Sequence, residues 1–193
     1  QDLRITTGSG ADRITIGQAG LHLNVNSGEG DDYIEDKSTT FYAYNFNNNG
    51  WPSSGHYING EAGNDTIVGG NNSDDDPTND WMWTHQSHTI VTWAQKLSGG
   101  PGNDFIDAKG GIDVIYGDSG HDTLLGGDGI DALYGGTGTD SLDGGTGHDE
   151  LYGQGDEDTL LGGSGNDLLD GGDATDSLDG GEGNDTLQGG SGS

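Results

Sequence analysis

The sequence predicts an all-β fold, a parallel β-solenoid, from three observations. An aspartate recurs every nine residues through the second half of the chain, and an aliphatic residue follows each one two positions later. Glycine accounts for 41 of the 193 residues, roughly three times its usual share. Hydrophobic residues make up only 27% of the chain, too few for a large conventional core. Together these features favour a fold built by stacking many short, similar units.

Each nine-residue unit reads as a turn followed by a strand. Residues 126–152 repeat Gly-Gly-x-Gly-x-Asp three times, each copy followed by one residue, a leucine and one more residue. Three residues with the aliphatic in the middle suit a very short strand that points one side chain inward. Glycines in the preceding six permit positive φ and leave backbone carbonyls open to a ligand. The repeated inward residues are Ile106, Ile115, Leu124, Leu133, Leu142, Leu151, Leu160, Leu169, Leu178 and Leu187.

The turns carry the ligands that a hard cation prefers. Bare carbonyls closed by a carboxylate form an all-oxygen site, and Ca²⁺ takes six to eight oxygens in flexible geometry, whereas Mg²⁺ demands a tighter octahedron. Two units make one coil, so turns eighteen residues apart stack, and Asp122 should face Asp140 across one ion. Ten in-register turns give eight such pairs, hence up to about eight ions. The aspartates are Asp104, Asp113, Asp122, Asp131, Asp140, Asp149, Asp158, Asp167, Asp176 and Asp185.

The charge of the chain supports a cation-dependent fold. The formal net charge is −29, and residues 110–193 contain 19 acids and no Lys or Arg. Such density normally causes disorder unless bound cations neutralise it. Without a basic patch, nucleic acid and anionic membranes are not expected partners. The sequence shows no signal peptide and no stretch long and apolar enough to span a membrane, and cysteine is absent.

The repeat GGxGxDxUx resembles the RTX (repeats-in-toxin) calcium-binding family, closely over residues 99–190. The resemblance implies a right-handed parallel β-roll, secretion by a type I system, and folding outside the cell where calcium is plentiful. It also implies Ca²⁺ ligands at the sixth-position aspartates and at turn carbonyls. The carbonyls are those of Gly126, Asp128, Ile130, Gly135, Thr137, Thr139, Gly144, Thr146, His148, Gly162, Ser164 and Asn166.

Departures from the repeat are expected to weaken calcium binding in the three turns at residues 108–113, 153–158 and 171–176. Residues 153–158 read GQGDED, with Gln154 and Asp156 in glycine positions. Residues 108–113 read AKGGID and residues 171–176 read GGDATD, which replace glycines with other residues.

Residues at the ninth position of each unit predict that the outer faces of the two sheets differ. Tyr116, Tyr134 and Tyr152 are eighteen residues apart and should stack in a ladder on one sheet. Leu125 and Leu161 lie on the other sheet, separated by Asp143. The tyrosine ladder is interpreted as cross-strand packing, with a docking surface for a partner domain or a glycan as the alternative.

The first half, residues 1–98, reads as a degenerate version of the solenoid in the second half, residues 99–193. Gly-x-Asp-x-aliphatic recurs around Asp12, Asp32 and Asp65, which are also predicted metal ligands. The alternating stretch LHLNV at 21–25 suits a strand that fills a missing half-coil.

Two insertions, 36–59 and 70–98, interrupt the degenerate half. They are expected to protrude from the roll and to pack on each other as a small side core. Carbohydrate binding is the alternative, through the tryptophans Trp51, Trp81, Trp83 and Trp93. His85 and His88 lack the spacing and the glutamate of a zinc motif, and DDDP at 74–77 lacks the glycine and glutamate of a calcium loop, so both are interpreted as solvated loop residues.

No catalytic signature appears in the sequence. The hypothesis is therefore a non-catalytic, monomeric calcium-binding module, secreted as part of a larger bacterial polypeptide. The final GGSGS opens another repeat, which agrees with a piece of a longer protein. A carbohydrate- or surface-recognition module, with a polysaccharide as its partner, is the alternative function.

Overall fold

The computed structural model describes residues 3–16, 23–36, 57–60, 65–68 and 94–192. These residues form 17 β-strands and no helix. The strands alternate along the chain between two parallel sheets, here called the odd sheet and the even sheet. The all-β parallel solenoid predicted from the sequence is confirmed.

The odd sheet contains the odd-numbered strands. They are β1 (Leu3–Thr6), β3 (Leu23–Asn26), β5 (Tyr57–Asn59), β7 (Ala94–Pro101), β9 (Gly110–Ser119), β11 (Ala132–Thr137), β13 (Glu150–Gly155), β15 (Leu168–Gly172) and β17 (Thr186–Gln188). The even sheet contains β2 (Arg13–Ile16), β4 (Tyr33–Asp36), β6 (Thr66–Val68), β8 (Phe105–Asp107), β10 (Thr123–Gly129), β12 (Ser141–Gly147), β14 (Thr159–Ser164) and β16 (Ser177–Asp179).

Each strand pairs in parallel with the strand one coil later, two elements along the chain. From β8 onward the register is eighteen residues, so Leu124 pairs with Leu142 and Leu142 with Leu160. In the first half the same pairing spans longer intervals, as in Ile34 with Ile67 and Ile67 with Ile106. The ladder therefore passes without a break through residue 98, where the sequence predicts a change from the degenerate to the regular repeat.

One inward side chain per strand forms the core between the two sheets. Leucine and isoleucine residues at this position are fully buried from Ile34 to Leu169, because each is covered by its neighbours in the coils above and below. Leu178 is only partly buried, and Leu187 in β17 is 47% exposed because it lacks a neighbour on one side. Burying one such side chain contributes about 1.5–3 kcal/mol.

Several strands are longer than the three residues that the repeat predicts. β10 and β12 have seven residues each, and their glycine-rich ends also pair, with Gly127 opposite Gly145 and Gly129 opposite Gly147. The turn backbone thus continues the ladder into the region where the carbonyls were expected to face a ligand.

Each predicted insertion connects a strand of the even sheet to the next strand of the odd sheet, the first from β4 to β5 and the second from β6 to β7. Their last residues belong to the solenoid, because Tyr57–Asn59 forms β5 and Ala94 begins β7. The strand expected at 21–25 overlaps β3. The four tryptophans, His85, His88, the DDDP stretch and the predicted packing of the insertions on each other lie outside the described residues.

Candidate cation-binding turns

The turns form two columns, one along each edge of the solenoid. The odd-to-even turns lead from the odd sheet to the even sheet and end at Asp12, Asp32, Asp65, Asp104, Asp122, Asp140, Asp158 and Asp176. The even-to-odd turns end at Asp113, Asp131, Asp149, Asp167 and Asp185. Ten of these thirteen carboxylates, from Asp32 to Asp167, are buried, while Asp12, Asp176 and Asp185 are half-buried.

Eleven of the thirteen aspartates use one carboxylate oxygen to join two coils. The backbone N–H of Asp122 donates to Oδ1 of Asp140 over 2.8 Å, and the N–H of Asp131 donates in the same way to Oδ1 of Asp149. The same bond links Asp12 to Asp32, Asp32 to Asp65 and Asp65 to Asp104, across the longer intervals of the first half. The predicted stacking of the aspartates is confirmed.

The second oxygen of eleven of these thirteen carboxylates is buried without a hydrogen-bond partner. Oδ2 is orphaned in this way in Asp32, Asp65, Asp104, Asp113, Asp122, Asp131, Asp140, Asp149, Asp158, Asp167 and Asp176. A buried polar atom without a partner costs about 1–3 kcal/mol, and more when it is charged. A column of such oxygens therefore indicates that something else satisfies them.

In seven of the turns a carbonyl oxygen from the next coil faces the same space as the orphaned oxygen. A methyl group placed on Gly126 would lie 2.7 Å from Oδ2 of Asp131 and 2.7 Å from the carbonyl oxygen of Gly144. A methyl group on Gly135 would lie 2.6 Å from Oδ2 of Asp140 and 2.9 Å from the carbonyl oxygen of Gly153. Glycine at the first position of the turn, five residues before the aspartate, keeps this space open.

The donor set fits Ca²⁺. It consists of oxygens only, carboxylate and carbonyl, which are the ligands that calcium prefers. Within the described ranges no three His, Cys, Asp or Glu side chains converge on one point. The reason is that each turn contributes a single buried carboxylate, so backbone carbonyls would have to supply most of the ligands.

The predicted carbonyl ligands occupy two environments. The first-position residues Gly126, Gly135, Gly144 and Gly162 are buried and lie beside the orphaned oxygens. The third and fifth positions lie at the solvent-facing side of the turn, and the carbonyl of Thr137 accepts a hydrogen bond of 2.9 Å from the N–H of Gly120. Their role as calcium ligands stays a prediction.

The turns that depart from the repeat keep the backbone shape of the regular ones. Lys109, Gln154, Asp156 and Ala174 have φ values between 69° and 78°, in glycine positions. The left-handed conformation costs a non-glycine residue roughly 1–2 kcal/mol. These turns are therefore strained, and weaker calcium binding there stays a prediction.

A second column of hydrogen bonds at the fifth position was not predicted from the sequence. Nδ1 of His121 accepts from the backbone N–H of Thr139, and Nδ1 of His148 accepts from the N–H of Asn166, over 2.9 and 2.7 Å. Oδ1 of Asn103 accepts in the same way from the N–H of His121. The signal was the recurrence of Asn and His at this position, eighteen residues apart.

Burial raises the pKa of six turn carboxylates, and neighbouring aspartates raise it further; the six are Asp65, Asp104, Asp122, Asp140, Asp149 and Asp158. The pKa rises to about 7 for Asp104 and Asp140 and to about 6 for Asp65, Asp149 and Asp158, although the backbone N–H bonded to each carboxylate lowers it. The ordinary value is 3.8, so the calcium-free folded state binds protons more tightly than the unfolded chain does.

The calcium-free chain should therefore be more stable in acid than at neutral pH. Because the folded-state pKa values are raised, the stability of a metal-stripped sample should be greatest near pH 4 and should fall as the pH rises to about 7. The strand signal of the stripped sample in circular dichroism, measured along this range, tests the prediction. Calcium-loaded protein should show the opposite trend, because protons compete with calcium for the carboxylates. A strand signal in the stripped sample that does not decrease as the pH rises would contradict it.

The predicted tyrosine ladder is confirmed on the odd sheet. The rings of Tyr116, Tyr134 and Tyr152 stack with centroid distances of 4.9 and 5.0 Å and interplanar angles of 10° and 6°. Nζ of Lys96 lies 4.9 Å from the centroid of Tyr116 at one end. The ring faces thus contact each other, which is the cross-strand packing expected of neighbouring strands. On the even sheet, Asp143 lies between Leu125 and Leu161, as predicted.

The comparison with known families agrees with the geometry of the turns. The family model described as the RTX calcium-binding nonapeptide repeat matches four stretches, residues 57–75, 98–133, 134–169 and 170–193. A search of curated proteins found no match. No helix in the described part of the chain could cross a bilayer. The matched residues cover more than half of the chain, and the protein therefore belongs to the RTX calcium-binding nonapeptide repeat family, as a calcium-binding β-roll module.

Proposed function

We propose that this module folds when it binds calcium outside the cell and that it serves, without catalytic activity of its own, as part of a larger secreted bacterial polypeptide. The observation that carries the proposal is the column of buried carboxylate oxygens without hydrogen-bond partners. Bound calcium would supply the positive charge and the coordination that these oxygens lack.

The residues proposed to hold calcium are the turn aspartates, through Oδ2, and the first-position carbonyls of the following coil. In each of these stacked pairs, Oδ1 of the second aspartate binds the backbone N–H of the first, which sets the distance between coils. One buried leucine per strand contributes about 1.5–3 kcal/mol, and one orphaned oxygen per turn costs about as much. Without cations these contributions nearly cancel, and the conformational entropy of nine residues per unit is left uncompensated.

This balance supports a role in export. A chain of net charge −29 that cannot compact without cations stays unfolded where free calcium is scarce and folds where it is plentiful. That behaviour suits passage through a type I secretion system, which the resemblance of the repeats implies. The absence of cysteine means that folding needs no oxidation step.

The free calcium concentration at which the chain folds tests the proposal. Extracellular calcium modules bind with dissociation constants of about 10⁻⁴–10⁻³ M, and we expect the folding midpoint in this range. The strand signal in circular dichroism, followed in a calcium buffer series, measures it. A midpoint below about 10⁻⁶ M would mean folding inside the cell and would contradict a role as an export switch.

A further inference from the structure

We propose that the residue at the first position of each turn, five residues before the aspartate, decides whether the turn binds a cation. Glycine leaves the space open, whereas Thr7, Ser27 and Ala108 fill it with their own side chains. This inference rests on the proposed function, in which the orphaned Oδ2 and the first-position carbonyl of the next coil hold calcium.

Ser27 shows how a side chain closes a turn. It is fully buried and stands five residues before Asp32, in the place that glycine occupies in the regular repeat. Its hydroxyl donates a hydrogen bond of 2.8 Å to the carbonyl oxygen of Gly60, the first-position residue of the next coil. The carbonyl that would face a cation is thus bound by a hydroxyl.

Thr7 repeats the arrangement one coil earlier. It stands five residues before Asp12, and its hydroxyl donates to the carbonyl oxygen of Ser27. Two successive odd-to-even turns are therefore closed by hydroxyl groups. At Gly60, by contrast, a methyl group would lie 2.7 Å from the carbonyl oxygen of Gly99 and against Oδ2 of Asp65, so the column of open turns begins there.

Ala108 closes a turn on the other edge. It is fully buried at the first position of the turn that ends at Asp113. Its carbonyl accepts a hydrogen bond of 3.1 Å from the N–H of Gly110, within the turn itself. The next residue, Lys109, forms an ion pair with Asp107, so this turn contains a cation of its own. In the corresponding turn one coil later, a methyl group on Gly126 would occupy the space between Asp131 and Gly144.

The assignment changes which pairs of turns hold calcium. On the odd-to-even edge the open pairs start at Gly60, Gly99, Gly117, Gly135 and Gly153, and on the even-to-odd edge they start at Gly126, Gly144 and Gly162. This gives eight sites. The number is the one that the repeat predicts, but the pairs of aspartates that form the sites are not all the same. The pair of Asp65 and Asp104 is gained and the pair of Asp113 and Asp131 is lost. Asp12 and Asp32 hold no ion, although Oδ2 of Asp32 is orphaned too, because the hydroxyl of Ser27 binds the carbonyl that the ion would need.

The number of bound ions tests the inference directly. The full chain is dialysed to equilibrium against millimolar calcium with excess magnesium, and the bound calcium is quantified by atomic emission. Ser27→Gly and Ala108→Gly should each bind one more ion than the wild type. Gly144→Ser should bind one ion fewer, and its backbone can accept a side chain because Gly144 has no left-handed φ. The matched control is Ser141→Gly, on an exposed strand position, which should leave the number unchanged.

The outcomes separate this inference from the proposed function. A wild-type chain that binds no calcium would overturn both. If the wild type binds calcium and Ser27→Gly and Ala108→Gly bind the same number of ions as the wild type, the proposed function stands. Only the inference that first-position side chains close these turns would then be overturned. Should Gly144→Ser fail to fold, the two glycine variants still decide the question, because each of them opens space instead of filling it.

Discussion

Removal of calcium at neutral pH is expected to unfold the region from Gly99 onward completely. Chelation should convert its strand signal in circular dichroism to that of a disordered chain, and re-addition of calcium should restore it in one cooperative step. The physical reason is that compaction brings the turn carboxylates into two buried columns, while residues 110–193 contain 19 acids and no Lys or Arg. Each site filled to 100 times its dissociation constant stabilises the fold by about 2.7 kcal/mol, so several sites together exceed the stability of an ordinary domain.

Two controls separate coordination from simple screening of charge. Magnesium at the same concentration should restore little strand, because it requires a compact octahedron that an open turn with distant carbonyls does not offer. Sodium chloride at matched ionic strength should also fail, because monovalent ions screen the surface but do not satisfy the orphaned oxygens. A chelated sample that stays fully ordered, with slow amide exchange in β10–β14, would show that the turns do not need a cation.

The nine-residue period was enough to predict the core and the stacking of the aspartates. A period of nine with one inward position fixes both which residue of each strand is buried, such as Leu133, and which carboxylates stack, such as Asp131 on Asp149. The tyrosine ladder could be predicted from the same period, because one coil contains eighteen residues and the tyrosines are eighteen residues apart. Local periodicity suffices here because each unit contacts only its neighbours.

The closure of the first turns could not be predicted in this way. Ser27 meets Gly60 across 33 residues, and that interval depends on an insertion whose length the repeat does not determine. The sequence also could not predict that Oδ1 accepts a backbone hydrogen bond while Oδ2 has no partner. This difference depends on where the backbone N–H of the neighbouring coil points. For the same reason, the extension of the strands into the glycine positions appears only when coils are placed side by side.

Gly147→Ala is expected to be among the most damaging single substitutions in the regular repeat. Gly147 has a φ of 139°, and a methyl group there would lie 1.4 Å from the carbonyl oxygen of Gly129 in the preceding coil. The unfavourable φ costs about 1–3 kcal/mol and the displaced backbone adds a similar amount, so the loss should be on the order of 3–5 kcal/mol. The displacement also reaches Asp149, two residues on, whose Oδ1 joins the coils through the N–H of Asp131.

Gly155→Ala provides the matched control for this prediction. Gly155 has no left-handed φ, and the nearest atom to an added methyl group, the carbonyl oxygen of Gly136, is 3.5 Å away. Its unfolding midpoint in urea, with millimolar calcium present, should stay within about 0.5 kcal/mol of the wild type, as for an ordinary surface substitution. Gly147→Ala should shift both this midpoint and the calcium concentration needed for folding. Equal losses of stability in the two variants would contradict the prediction. They would mean that a methyl group anywhere in a turn is damaging, and that the close approach of neighbouring coils at the fourth position is not the reason for glycine there.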